Sequence, residues 1–226
     1  MSIPSPKRHT AAAVLAIIAA ATGCSTTSIE EPTSARPAPF PYPPAERTTS
    51  IAVELDEHLR SAAQFAVELE RDEIFALRDP AVVASMYTRM TRENVYADWP
   101  TEPVPPTPET GAAIYTATAV EPTGPGTVDV TVCEYYSPGI YTPRDDGTLE
   151  RFPADPEIRY AAYVYELAWT TAPDANGTIT TDPRWLRTGH GLPLNLPQYT
   201  AERDQACAPY APDPFLTDPP APTAER

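Results

Sequence analysis

The residues best suited to covalent chemistry are three cysteines, Cys24, Cys133 and Cys207. Cys24 follows Ala21-Thr22-Gly23 at the end of an uncharged, alanine-rich run. Small residues before a cysteine suit a peptidase that cuts the preceding bond, and the cysteine thiol can itself take a thioether-linked lipid. Cys133 and Cys207 then remain, and in an oxidising compartment two leftover cysteines pair. Closing a loop of about 75 residues would stabilise the fold by roughly 4 kcal/mol in the chain-entropy picture. A free thiol and a metal ligand are the alternatives. Beyond the N-terminal run only His58 and His190 are available as soft partners, and no Cys-x-x-Cys or His-x-x-x-His spacing occurs. No metal is therefore expected.

The aromatic residues Tyr135, Tyr136, Tyr141, Tyr160, Tyr163, Tyr165, Trp169 and Trp185 form a second distinctive population. Aromatic faces stack on sugars or line apolar pockets, and they equally fill a core beneath helices. Tyr163, Tyr165, Trp169, Trp185 and His190, which lies between Gly189 and Gly191, are the candidate pocket or ligand contacts. Among the acids, Asp129, Glu134 and Glu166 fall in or beside strand-like runs, and strand parity turns Asp129 away from the Val128, Val130 and Val132 face, toward solvent. No Gly-x-Ser-x-Gly, phosphate-binding glycine loop or His-Glu-x-x-His is present. No catalytic residue and no cofactor is assigned. Asn176-Gly177-Thr178 matches a glycosylation sequon and more simply makes a turn.

Around Cys24 the parts of an export leader stand in order. Lys7, Arg8 and His9 form a basic start, Ala11 to Ala21 the apolar run, and Ala21-Thr22-Gly23-Cys24 reads as a lipobox. The run of about 11 residues is too short for a bilayer core that needs about 20. Residues 1–23 are thus expected to be a cleaved signal peptide, with Cys24 lipidated and the chain held on the outer face of a bacterial cell membrane. A diacylglyceryl group anchors firmly where one acyl chain would not.

Net charge is −15 over 226 residues; Lys7 and Arg8 leave with the leader and no acid does, so it becomes −17. Such acidity argues against nucleic acid as a partner, which needs a cationic face. The 30 prolines cluster at 25–49 and 208–226. Segments of that composition bury too little apolar surface to offset chain entropy. Residues 24–49 are expected to be a disordered stalk, reaching roughly 50 to 75 Å when extended, and 209–226 a disordered tail. Residues 50–208 remain as a single domain, long enough for one core.

Within it, Ile51, Leu55, Leu59, Ala62, Ala66 and Leu69 recur at helical spacing, predicting a helix over 51–77. Asp79-Pro80 predicts the cap of a second helix through Val82, Val83, Met86, Tyr87 and Met90. A proline-rich loop follows from Trp99 to Pro108. The period then becomes two, at 114–120, 128–133 and 158–171, with turns at 121–126, 145–147 and 173–177 and a last strand from Arg184. Helices followed by a meander give an α+β class, two N-terminal helices packed on a curved antiparallel sheet.

This order, with ERDEIFALRDPAVVASMYT, GTVDVTVCEYYSP and DPRWLRTGHG, resembles the ketosteroid-isomerase-like superfamily, also called nuclear-transport-factor-2-like or cystatin-like. It is similar above all to the secreted and lipid-anchored members of actinobacteria. The resemblance spans roughly residues 50 to 208; the segments 99–110 and 138–156 depart from the usual pattern. It implies a cone-like domain with a pocket between helices and sheet, and likens Cys207 to a cysteine that closes the domain. Some relatives are isomerases or dehydratases and many are accessory proteins. The expected function is a non-enzymatic binding or accessory lipoprotein, facing an envelope protein or a wall polymer. The alternatives are a surface-exclusion or immunity lipoprotein, and an isomerase or hydrolyase that needs a buried acid beside a tyrosine hydroxyl.

Overall fold

A computed structural model describes residues 40–76, 79–95, 102, 105–191 and 194–223. The expected leader, Cys24, the stalk as far as residue 39, and Trp99 lie outside the described residues. Six strands form one sheet: β1 (Glu46–Ile51), β2 (Thr110–Gly124), β3 (Thr127–Pro143), β4 (Leu149–Phe152), β5 (Tyr160–Thr170) and β6 (Arg184–His190). Their order is β1-β2-β3-β5-β6, with β4 paired to the far end of β3. The class is α+β.

The first strand corrects two expectations. Glu46-Arg-Thr-Thr-Ser-Ile51, divided above between stalk and helix, is a strand, and it runs parallel to β2 from Glu46↔Ala112 to Ile51↔Ala117. The sheet is therefore mixed, and a strand precedes the helices. A parallel neighbour requires a crossover, and helices α1 (Glu57–Ala76) and α2 (Pro80–Tyr87) supply it. Helix α1 begins where Asp56 Oδ1 accepts the Leu59 N–H at 2.9 Å, later than the periodicity alone indicates. Helix α2 is capped as the sequence predicts, Asp79 Oδ1 accepting from Ala81 N–H at 2.8 Å with Pro80 in the first turn.

Alternation along the strands gives the sheet two buried faces. On one, Tyr115, Val128, Val130, Val132, Tyr165 and Leu167 pack against Ala62, Ala66 and Leu69 of α1 and Met86 of α2. On the other, Cys133, Tyr135 and Ala162 pack against Leu194 and Cys207. Cys207 ends a third helix, α3 (Thr200–Cys207), in a segment where no helix is expected from the sequence. The Cys133–Cys207 disulfide ties α3 to the sheet. The Tyr135 hydroxyl adds a hydrogen bond to the Cys207 carbonyl at 2.7 Å.

Residues beyond 208 also depart from the expected disordered tail. The Arg159 guanidinium lies over the Phe215 ring, 4.2 Å from its centre. Leu216 N–H donates to Ser137 Oγ at 2.9 Å, and the Tyr141 hydroxyl donates to the Thr217 carbonyl. Thr223 N–H donates to the Pro41 carbonyl at 2.6 Å. These side chains and prolines form a strap across β3, on which low-entropy extended backbone loses little further freedom when it docks.

Candidate functional site

Two carboxyls interrupt the apolar stripe of α1. Ala63, Ala66, Glu70 and Glu73 follow helical spacing, so Glu70 and Glu73 point at the sheet with the core residues. Opposite them, Glu134 continues the inward parity of Val128, Val130 and Val132, and Arg187 shares the face of Trp185. Glu70 and Glu134 are only 4% and 3% exposed and Arg187 and Tyr165 are fully buried. The β6 edge holds Arg187 in place: its N–H donates to Arg89 O at 3.0 Å and its carbonyl accepts from Thr91 N–H at 3.0 Å.

The side chains interlock. The Tyr165 hydroxyl lies within hydrogen-bond reach of both Glu70 Oε2 and Glu73 Oε2, the second at 2.9 Å. Arg187 Nη1 donates to Glu73 Oε1, and its Nη2 reaches both Asn94 O, at 3.3 Å, and Nε2 of His190. Beside this group, Glu134 accepts from Tyr136 at 3.0 Å and from Tyr115 at 3.3 Å.

Burial sets the protonation. Desolvation, then the negative charges of Glu73 and Glu134, hold the Glu70 carboxyl well above the usual carboxylate range. Desolvation pushes Glu134 up to about 7, against the pull of the Tyr136 and Tyr115 hydrogen bonds and of Arg47. Tyr115, Tyr136, Tyr163 and Tyr165 are all raised, by burial first and then by these carboxyls. Partial desolvation of the ring and the Arg187 charge lower His190.

Of the five residues singled out from sequence, Tyr165 and His190 belong to this network, and Tyr163 lies beside it, within reach of the carboxyls' charge and hydrogen-bonded to Asn195. Trp169 and Trp185 do not belong to it. They pack on each other with ring centres 5.3 Å apart, and with His58 at 5.1 and 4.8 Å. The Trp185 indole N–H donates to Ser61 Oγ at 2.9 Å. Glu70, Glu73 and Arg187 are not among the residues expected from sequence, and Glu134 is expected only in or beside a strand. The signal was present: each is a charged residue at a position where period or parity demands an apolar one.

The opposite face carries a groove of about 500 Å³ between the sheet and α3. Thr118, Glu121, Asp129 and Thr131 line its floor, and Glu202, Gln205 and Tyr210 its wall. Asp129 does face away from the Val side, yet it is half-buried in this groove. Desolvation and the facing Glu121 raise its carboxyl. Among the described residues no cluster of three His, Cys, Asp or Glu side chains has a metal-binding arrangement. No protein-family model matches this chain, and neither the curated proteins nor the solved structures contain a match to it.

Proposed function

We propose that this protein is an exported lipoprotein, held by a lipid on Cys24 at the outer face of a bacterial cell membrane, whose α+β domain is a binding or accessory module. In this reading the domain is a member of the ketosteroid-isomerase-like superfamily, with α1 and α2 closing the mouth of a cone formed by the sheet. The observation that carries the non-enzymatic reading is the saturation of the interior carboxyls. Glu70, Glu73 and Glu134 are each hydrogen-bonded by tyrosine or arginine side chains of the protein itself. A general base must instead face a substrate proton within hydrogen-bond reach. The groove against α3 is the surface offered to a partner. Its hydroxyl, carboxylate, amide and phenol groups suit a polyhydroxylated wall polymer.

Metabolic labelling with a clickable fatty acid tests the anchor. The full chain should incorporate label in the membrane fraction of a bacterial host and Cys24→Ala should not; equal labelling of both sinks the anchor. Sedimentation with purified wall glycan tests the groove. Glu202→Lys with Gln205→Glu should abolish co-sedimentation, and a full chain that never pellets with glycan removes that partner.

The pairing of Glu70 with Tyr165 favours one second reading, an acid–base isomerase in which a protonated carboxyl and a phenol polarise a carbonyl. That activity would be abolished by Tyr165→Phe in an assay with small enones. Unchanged turnover in that variant rules the second reading out.

A further inference from the structure

The hydrogen atoms around Tyr165 do not suffice for two ionised carboxylates. Its hydroxyl has a single proton, and it meets Glu70 Oε2 on one side and Glu73 Oε2 on the other. If both carboxyls were charged, one would face an oxygen lone pair at hydrogen-bond distance. Arg187 resolves which one. Its guanidinium bonds Glu73, so Glu73 is the natural acceptor of the phenol proton. The contact between Glu70 and Tyr165 then needs a proton of its own, and only the Glu70 carboxyl can carry it.

We propose that Glu70 keeps its proton in the folded protein and donates it to Tyr165, which in turn donates to Glu73, so that the packing of α1 on the sheet is coupled to pH. The chain runs Glu70 O–H to Tyr165 oxygen, Tyr165 O–H to Glu73, and Arg187 N–H to Glu73. It crosses the interface three times, since Glu70 and Glu73 belong to α1 while Tyr165 and Arg187 belong to β5 and β6. This inference depends on neither the export nor the family proposed above.

The groups facing Glu70 agree. From α1 there is Glu73; from β2, Tyr115; from β3, Glu134 and Tyr136; from β5, Tyr163 and Tyr165; from β6, Arg187 with His190 behind it. Arg47 of β1 acts on Glu134 and Tyr115. Arg187 is the cation that acts directly on Glu70, against two carboxyls, and it is already committed to Glu73. Removing the Glu70 proton would place a second negative charge on the same phenol, away from water, where charge repulsion is little screened.

The sign of the pH effect follows. Glu70 binds its proton more tightly folded than unfolded, so the contribution is complete below the ordinary carboxyl range. It is lost as pH rises through the folded value. A single proton changes the unfolding constant by at most about tenfold per pH unit.

Urea unfolding of the purified full chain across a pH series tests this. The wild type should lose stability as pH rises above the unfolded carboxyl range. Glu70→Gln, whose amide donates to Tyr165 without titrating, should lose one proton's share of that slope, up to about tenfold per unit. Glu134→Gln should lose only its own share, between about 4.3 and 7, and keep the share that belongs to Glu70. A Glu70→Gln slope equal to the wild type overturns the proposal. Should Glu70→Gln fail to fold, infrared spectroscopy of Glu134→Gln at neutral pH decides. A protonated-carboxyl carbonyl band is expected there, and its absence overturns the proposal equally.

Discussion

Arg187 donates through Nη2 to Nε2 of His190. A guanidinium has no acceptor, so the imidazole must offer a lone pair there, which fixes a neutral ring with its proton on Nδ1. The lowered His190 value agrees with that assignment. Arg187→Met should therefore raise the His190 midpoint, followed by ring-nitrogen NMR against pH. A midpoint that falls or stays fixed contradicts the contact.

The same substitution leaves the Glu73 carboxyl without its main donor. Breaking one side of a buried ion pair costs about 3–5 kcal/mol, and Arg187 is fully buried. Arg187→Met should lower stability by that order in chemical denaturation. A loss under about 1 kcal/mol would mean that Glu73 relaxes into water.

Glu134 should titrate near 7 in a carboxyl-carbon NMR experiment. An unfolded glutamate titrates near 4.3, so the folded form binds the proton more tightly. Stability from this group is complete below about 4.3 and is lost as pH climbs toward 7. Tyr136→Phe removes a donor that lowers the value, so its Glu134 midpoint should move upward. A midpoint within the ordinary carboxylate range would show that water reaches Glu134.

The disulfide closes a loop with a sequence separation of 74. Replacing Cys133 and Cys207 together by Ala should cost about 4 kcal/mol on the chain-entropy estimate. The comparison is urea unfolding of the oxidised wild type against the double variant. Equal midpoints would show that α3 docks without help from the bond.

Gly111 and Gly139 give a paired test of backbone packing. A Cβ on Gly111 would stand 2.0 Å from the Gly139 carbonyl oxygen, at φ +94. Gly147 also has positive φ, +80, yet nothing lies within 4 Å of its would-be Cβ. Gly147→Ala should cost about 1–2 kcal/mol from conformation alone. Gly111→Ala should cost distinctly more, because β2 and β3 must part. Thermal unfolding of the two variants side by side checks the order, and the reverse order contradicts the register.

The sequence exposed those parts of the fold that rest on local rules. The Asp79-Pro80 cap, the two-residue period of β3 and β5 and the Asp145-Asp146-Gly147 turn are each written in consecutive residues. Strand β1 was hidden because its six residues lie at the edge of a proline-rich block, and its partner is more than sixty positions away. Helix α3 is mostly polar and short, and its position is set by the bond at Cys207 rather than by a stripe. The buried network was overlooked for a different reason. Glutamates on a helix are ordinarily solvated, and that expectation outweighs the helical period that sets Glu70 and Glu73 on the apolar stripe. Composition favours Tyr165 and His190 as contacts, but it cannot reveal that Arg187 joins them.

The strap from Phe215 to Thr223 is held by a few individually weak hydrogen bonds and one ring contact. Such a segment would compete poorly for its place on β3 if it diffused freely. It starts, however, from a covalently fixed point at Cys207, which confines it to a small volume around β3 and gives it a high effective concentration there. Reduction would thus act at a distance, loosening a tail that contains no sulfur of its own.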